Sequence, residues 1–315
     1  MRERMVGRAL AAVLAALIWA TVVLVATPSG AAAGYTSCTF SSGTVRLYMA
    51  TGRVVRLFAV DGRIEYADLG NNQLKGQCGS ATVRNTQRVR ITEEVAGTSR
   101  LQFDQQLQRF GPGKGWESSG INEIEVYLGT LEQVWLMGTQ TRNRIVIGSG
   151  GVNFNGDGDV DLIGSRLRQI YVFLNDADDS VDARGGRGTG DQWMPGSASA
   201  LRLVVYASGG DDVIYGTNAA DVLDGNLGED LIYGRGGRDE LRGGSHDDFV
   251  HGGTGADLID PGPWFDTVYG GAGDDRIEAY DNSADRISGG TGSDRASVDP
   301  EDAVTGVESV TVLPG

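Results

Sequence analysis

Gly252-Gly253-Thr254-Gly255-Ala256-Asp257-Leu258-Ile259 places three glycines in its first four positions, an aspartate in its sixth and a branched aliphatic residue in its eighth. The same spacing runs outward in both directions. Aspartates recur at Asp212, Asp221, Asp230, Asp239, Asp248, Asp257, Asp266 and Asp275, a period of nine, and one extra residue then shifts the last two to Asp285 and Asp294. Two places after each stands a small or branched apolar residue, from Ile214, Leu223 and Ile232 to Ile277, Ile287 and Ala296. Side chains alternate faces along a strand, so one buried apolar residue per unit, flanked by polar or small ones, suits a three-residue strand. The remaining six residues must turn the chain, and glycine accepts the positive φ of tight turns at no steric cost. Two units therefore make one coil of 18 residues, with turns alternating between two edges of a flattened spiral. The expected fold is all-β, a parallel β-helix or β-roll solenoid with regular coils in the C-terminal third.

Coiling sorts the aspartates into two ladders. One edge carries Asp212, Asp230, Asp248, Asp266 and Asp285; the other carries Asp221, Asp239, Asp257, Asp275 and Asp294. Parallel coils stack about 4.7–4.9 Å apart, and carboxylates at that spacing repel by roughly 3–4 kcal/mol per pair at an effective dielectric of 20. A hard cation relieves this. Calcium takes six to eight oxygen ligands at about 2.3–2.6 Å, carboxylate and peptide carbonyl alike, and open glycine turns expose carbonyls. Five rungs per edge leave at most four gaps on each, a ceiling of eight ions. The best-formed turns join Asp239, Asp257, Asp275 and Asp294, followed by Asp212 with Asp230. Gaps touching Asp266 are expected to be poor, because Pro261-Gly262-Pro263-Trp264 is stiff and bulky.

The repeat resembles the RTX, or hemolysin-type, calcium-binding repeat family over roughly ninety residues. The resemblance implies a right-handed β-roll that folds on meeting extracellular calcium, with the ten aspartates as ligands. It implies no activity, since such repeats accompany toxins, proteases, lipases and surface proteins.

Residues 1–33 read as a secretory leader: Arg2, Arg4 and Arg8, an apolar stretch from Ala9 to Ala26, then Ala31-Ala32-Ala33 before Gly34. The alternative is a retained membrane anchor, and no other segment is apolar enough to span a bilayer. The expected protein is exported, with no membrane insertion after leader removal. The chain has a net charge of −15, and loss of the leader, with three Arg and one Glu, leaves −17. Residues 209–299 hold twenty acidic residues against six arginines, a net of −14. This balance argues against nucleic acid as a partner, because phosphate binding rests on basic side chains. Cys38 and Cys78 are the chain's two cysteines, and an exported protein with one pair is expected to bridge it.

Residues 34–200 show short apolar or alternating runs, among them Val54–Val60, Glu123–Leu128, Val134–Met137, Arg144–Ile147 and Ile170–Leu174, separated by Gly, Asn, Asp and Ser. The expected arrangement is an irregular β-helix that becomes the regular roll over 201–297; a separate β-sandwich over 34–115 is the competing fold. The stretch Arg109–Gly115 reads as a loop and a possible boundary. Two acidic loops are further calcium candidates: Asn153–Asp161, with Asp157, Asp159 and Asp161, and a degenerate repeat in which Asp179 precedes Val181 by two. The first begins like an EF-hand loop but has Gly164 where glutamate belongs; a solenoid turn or a plain solvated turn fits it better. Residues 298–315, with Val304–Val312 strand-like, are expected to cover the open end, which solenoids require.

No catalytic constellation stands out. The histidines, His246 and His251, lie inside the repeats and lack the His-Glu-x-x-His spacing of zinc proteases; His246 reads as an exposed turn residue. Gly148-Ser149-Gly150 does not match a serine-hydrolase elbow. The leading expectation is a secreted, non-catalytic calcium-binding module facing a cell-surface or matrix polymer. The second is a calcium-dependent lyase or epimerase acting on acidic polysaccharide through Arg142, Arg144, Arg166, Arg168, Arg184 and Arg187. Arginines gathered in one groove would favour it.

Overall fold

The computed structural model describes residues 36–313 with interruptions, the longer ones at 105–124, 154–161 and 185–200. The leader, the loop at 109–115, Asp157, Asp159, Asp161, Arg166 and Arg187 therefore lie outside the described residues. The described strands form two long sheets, one of fourteen strands and one of thirteen. Each repeat unit contributes its strand to the sheet opposite that of the unit before it.

In the repeat region every pairing is parallel and in register. Ile214 pairs with Ile232, which pairs with Val250 and then Val268, each 18 residues on. On the facing sheet Leu223, Leu241, Ile259 and Ile277 do the same. The extra residue near Asp281 is absorbed within a turn, since Val268 pairs with Ile287 and Ile277 with Ala296 without loss of register. The inward column is completely buried from Ile214 to Ile277. Removing one of these side chains would forfeit packing on both axial neighbours, which is why the repeat tolerates only apolar residues there.

Upstream the same two sheets continue with larger coils. Val134 pairs in parallel with Ile170, and Ile170 with Leu203. Ile145 pairs with Val181 and Val181 with Ile214. Neither sheet breaks at residue 201. Among the described residues, the strands between 36 and 104 belong to these same two sheets. Thr44–Met49 pairs in parallel with Arg88–Glu93, and Val54–Val60 with Arg100–Asp104, as strands of these sheets. One antiparallel insertion interrupts them. Gly151–Asn153 and Leu162–Ile163 pair antiparallel; the acidic stretch between them lies outside the described residues.

The first end of the stack is closed by antiparallel strands. Ser37–Ser41 folds back on Thr44–Met49 at the edge of one sheet, while Arg63–Asp68 and Leu74–Thr82 extend the edge of the other. The Cys38–Cys78 disulfide links these two edge strands across the core. The last end is built differently from the first. Ala303–Thr305 and Ser309–Val312 add one more parallel rung to each sheet. Val310 and Val312 stay exposed, at 44 % and 57 %. The tail continues the stack over the last repeat coil: Val304 and Val307 pack against the core, and Ile287, Ala296 and Val298 beneath it are buried.

Outward-facing rings stack along the axis on both faces. Tyr215 and Tyr233 lie 4.9 Å apart, with His251 and Tyr269 continuing the line. On the facing sheet Trp135 packs on Tyr171 at 5.5 Å and Phe173 on Tyr206 at 5.5 Å.

A disulfide that closes a loop of 40 residues contributes about 4 kcal/mol by restricting the unfolded chain. The double variant C38S/C78S is accordingly expected to show a clearly lower denaturant midpoint in calcium-replete buffer, with the number of bound ions unchanged. An unaltered midpoint would show that the clamp adds nothing to the closed end.

Candidate metal centre

Each turn begins with a residue whose Cα faces the carboxylate of its own aspartate, five positions later. Where that residue is glycine, the space a Cβ would fill is already taken by two oxygens. At Gly225, Gly234, Gly243, Gly252, Gly270 and Gly289 the added atom would lie 2.1–2.7 Å from the Oδ2 of Asp230, Asp239, Asp248, Asp257, Asp275 and Asp294 respectively. It would also lie 2.2–2.6 Å from a peptide carbonyl of the next coil. Glycine is required so that a carboxylate oxygen and a peptide oxygen can converge. The later glycines of the turn serve coil stacking: a Cβ on Gly255, at φ 134°, would fall 1.4 Å from the Gly237 carbonyl oxygen. His246 and Trp264 nevertheless occupy this place with φ of 88° and 103°. Both are exposed, as expected for His246, and their rings stack on one another at 5.5 Å.

The two oxygens of each aspartate have different tasks. Oδ1 accepts the peptide N–H of the aspartate one coil earlier. Asp212 donates to Asp230 at 2.8 Å, Asp230 to Asp248 at 2.8 Å and Asp248 to Asp266 at 2.7 Å. The second edge repeats this from Asp221 through Asp239, Asp257 and Asp275 to Asp294, each at 2.8 Å. Oδ2 is buried and has no hydrogen-bond partner in Asp179, Asp212, Asp230, Asp239, Asp248, Asp257, Asp266, Asp275, Asp285 and Asp294. Buried polar oxygens in native proteins are almost always paired. Two parallel rows of orphaned carboxylate oxygens beside converging carbonyls fit a hard, oxygen-seeking divalent cation. These residues would hold calcium, and the ion would supply the positive charge that the rows lack.

Asp221 is set apart. Its Oδ2 accepts the Thr217 N–H at 2.6 Å, its Oδ1 accepts the Leu203 N–H at 2.7 Å, and the Thr217 hydroxyl bonds both oxygens. It closes the turn with its own chain. Asp212 keeps an orphaned oxygen, but Ala207 stands where the other turns have glycine. Pro261 bears on two turns: its carbonyl completes the position beside Asp248, and it stands in place of the leading glycine of the turn that ends at Asp266.

The ladders run further than the ten aspartates. Asp179 donates to Asp212 at 2.6 Å and accepts from the Asn143 N–H at 2.5 Å, so the degenerate turn belongs to the first edge. At the other end Asp285 donates to Asp302 and Asp294 to Glu308, each at 2.8 Å. Asp302 and Glu308 were not among the expected ligands. Each precedes a valine by two, Val304 and Val310, so the aspartate-x-aliphatic signal persists with the period contracted and with glutamate once replacing aspartate.

Desolvation shifts these acids most. It raises Asp212, Asp239 and Asp266 to about 8, Asp248 and Asp285 to about 7, and Asp230 and Asp275 to about 6. The accepted peptide N–H bonds oppose the shift, and neighbouring carboxylates add to it. Without a cation Asp212, Asp239 and Asp266 favour the protonated form at neutral pH, whereas Asp230 and Asp275 are largely ionised.

A folded-state value above the unfolded one stabilises the metal-free fold in acid, and that stability is lost as pH rises through the folded value. The chelator-treated chain is therefore expected to be more ordered at pH 5 than at pH 8, losing structure across pH 6–8. Calcium added near pH 7 should release protons and bind more tightly as pH rises. Circular dichroism against pH and proton release in weak buffer check both; equal order at both pH values with no released protons contradicts the assignment.

The model for the RTX calcium-binding nonapeptide repeat matches in four copies, at residues 206–241, 225–259, 265–283 and 280–297. These segments cover the ten repeat aspartates and leave residues before 206, residues 260–264 and residues after 297 unmatched. No curated protein and no solved structure matches the chain.

Proposed function

Because residues 206–297 are RTX calcium-binding nonapeptide repeats, we propose that the chain is an exported, non-catalytic module whose fold calcium completes in the extracellular medium. The observation that carries this reading is the double row of buried, unpartnered Oδ2 atoms. A buried ionised carboxylate without a counter-charge costs several kcal/mol, so a chain with two such rows gains order when the metal arrives. Extracellular calcium modules bind at about 10⁻⁴–10⁻³ M, which matches a chain kept loose before export and ordered after it. The product is a stiff acidic rod that presents two metal-lined edges, suited to a structural or adhesive role at a cell surface or in a matrix polymer.

The arrangement of cationic side chains supports a module over a polysaccharide lyase or epimerase. Arg144 begins a strand of the fourteen-stranded sheet, whereas Arg168 leads into the thirteen-stranded sheet. Arg184 is held by the Asp182 carboxylate at 2.8 Å and lies 3.8 Å over the Tyr215 ring. Among the described residues these arginines are spread over two faces. Incubation with pectate or alginate is expected to release no unsaturated sugar detectable by ultraviolet absorbance; its release would transfer the protein to the enzyme class.

Titration of the metal-stripped full chain should convert a weakly structured circular dichroism spectrum to a β-rich one, with a midpoint at about 10⁻⁴–10⁻³ M calcium. The double variant D257N/D275N should move that midpoint to roughly tenfold higher calcium, about 1.4 kcal/mol. A spectrum unchanged from chelator to saturating calcium would defeat the proposal.

A further inference from the structure

Two successive turns of the first edge lack the leading glycine. Pro261 precedes Asp266 and Ala279-Tyr280 precedes Asp285, so neither offers the open position found beside Asp230, Asp248 and the glycine-led turns of the second edge. At this break an additional acid appears. The extra residue that shifts the period lies in the turn 279–285, and Asp281 in that turn brings a carboxylate oxygen within 4.8 Å of one oxygen each from Asp266 and Asp285. Asp266 and Asp285 are 0 % and 1 % exposed. The Oδ2 atoms of Asp266, Asp281 and Asp285 are all buried and all lack a hydrogen-bond partner.

The surrounding bonds hold Asp281 in this pose. Its Oδ1 accepts the Ser283 N–H at 2.7 Å. The buried Asp299 accepts the N–H groups of Asn282 at 2.7 Å and Asp281 at 3.4 Å, fixing the loop from the coil beyond. Asp302 accepts the Asp285 N–H at 2.8 Å and, through its other oxygen, the Asp299 N–H at 3.0 Å. On the opposite side the Ser283 hydroxyl accepts the Trp264 N–H at 3.1 Å, a bond that falls to a backbone carbonyl in the regular turns. Side chains have thus taken over from peptide groups throughout this corner, and three carboxylate oxygens remain unused.

We infer that Asp266, Asp281 and Asp285 form a separate three-carboxylate site for a hard divalent cation of the calcium class, outside the nonapeptide pattern. The turns led by Gly225, Gly234, Gly243, Gly252, Gly270 and Gly289 each offer one orphaned carboxylate oxygen beside a carbonyl; this corner offers three carboxylates and needs no glycine. An ion here joins two coils where the repeat chemistry is interrupted. The inference takes the calcium reading of the repeats as its background but depends on Asp281, which that pattern does not contain.

The test uses the full chain with calcium and with terbium as a luminescent stand-in. Trp264, two residues from Asp266, is placed to sensitise terbium held in this corner. D281N keeps the oxygen that accepts from Ser283 while removing the ligand charge. It should bind one calcium fewer in equilibrium dialysis and lose most of the tryptophan-excited terbium emission, with the β-rich spectrum retained. W264F should keep the full calcium count and lose that emission, a reading that stands even if D281N folds poorly. D275N, on the opposite edge, should keep the emission while losing repeat-bound ions. A wild-type chain that binds no calcium defeats the reading of the repeats. A wild-type chain that binds calcium, with D281N matching it in count and emission, leaves that reading intact and overturns this site; so does undiminished emission from W264F.

Discussion

The bond from each aspartate N–H to the Oδ1 of the aspartate one coil later governs the rest of the molecule. It reaches only when successive coils stand in register, so it locks the stacking that buries the apolar columns. It also consumes one carboxylate oxygen and turns the other into the interior of the turn, away from water and from any donor. Register and metal demand therefore come from one side chain. Among the described residues ten ladder aspartates carry such an orphaned oxygen, nine of them within residues 209–299, whose net charge is −14. The arrangement would be self-defeating for an isolated chain, since burial alone pushes several of these acids toward protonation. A divalent cation removes that cost without disturbing the Oδ1 bonds, which explains how the ladders can be both stacked and ionised.

Much of this was legible in the sequence because one short unit repeats its physics ten times. A period of nine with one aliphatic and one aspartate per unit leaves little freedom: the aliphatic column, the 18-residue coil and the two ladders all follow. The disulfide was legible from a count of two cysteines. What escaped notice was what spacing alone does not show. Thr217 diverts Asp221 from the metal row by bonding both of its oxygens, a matter of side-chain rotamer. Asn143 meets Asp179 across 36 residues. Asp302 and Glu308 extend the ladders after the period has contracted. The tail was expected to hide the last apolar rung; that it would do so as one more parallel rung, with Val304 and Val307 on the core, is a matter of pairing that spacing alone does not show.

Residues 34–200 show the same limit on a larger scale. The runs at Val54–Val60 and Ile170–Leu174 identify strands, yet nothing in them distinguishes an antiparallel cap from a parallel coil. Partner choice is settled by the connections. A short turn returns Val54–Val60 onto Arg63–Asp68 in antiparallel fashion, whereas the long connections from Gln133–Met137 to Gln169–Phe173 allow parallel stacking. The upstream coils can spend extra residues in their turns because the pairing requirement concerns only the strands. That also explains why the nonapeptide match ends near residue 206 while the two sheets run on to the N-terminal cap.

The outer faces bear on where chemistry resides. A row of exposed rings on a solenoid suggests a platform for a flat ligand, but a platform needs ring faces turned to solvent. Here Tyr215, Tyr233, His251 and Tyr269 present their faces to one another along the axis, and Phe173 and Tyr206 do likewise on the other sheet. Such pairs stabilise stacking by about 0.5–1.5 kcal/mol each. The faces of the rod are thus spent on holding coils together. The turns along its two edges are where unused oxygens collect, and there the binding of a +2 ion at each filled gap changes both the charge and the rigidity of the whole length.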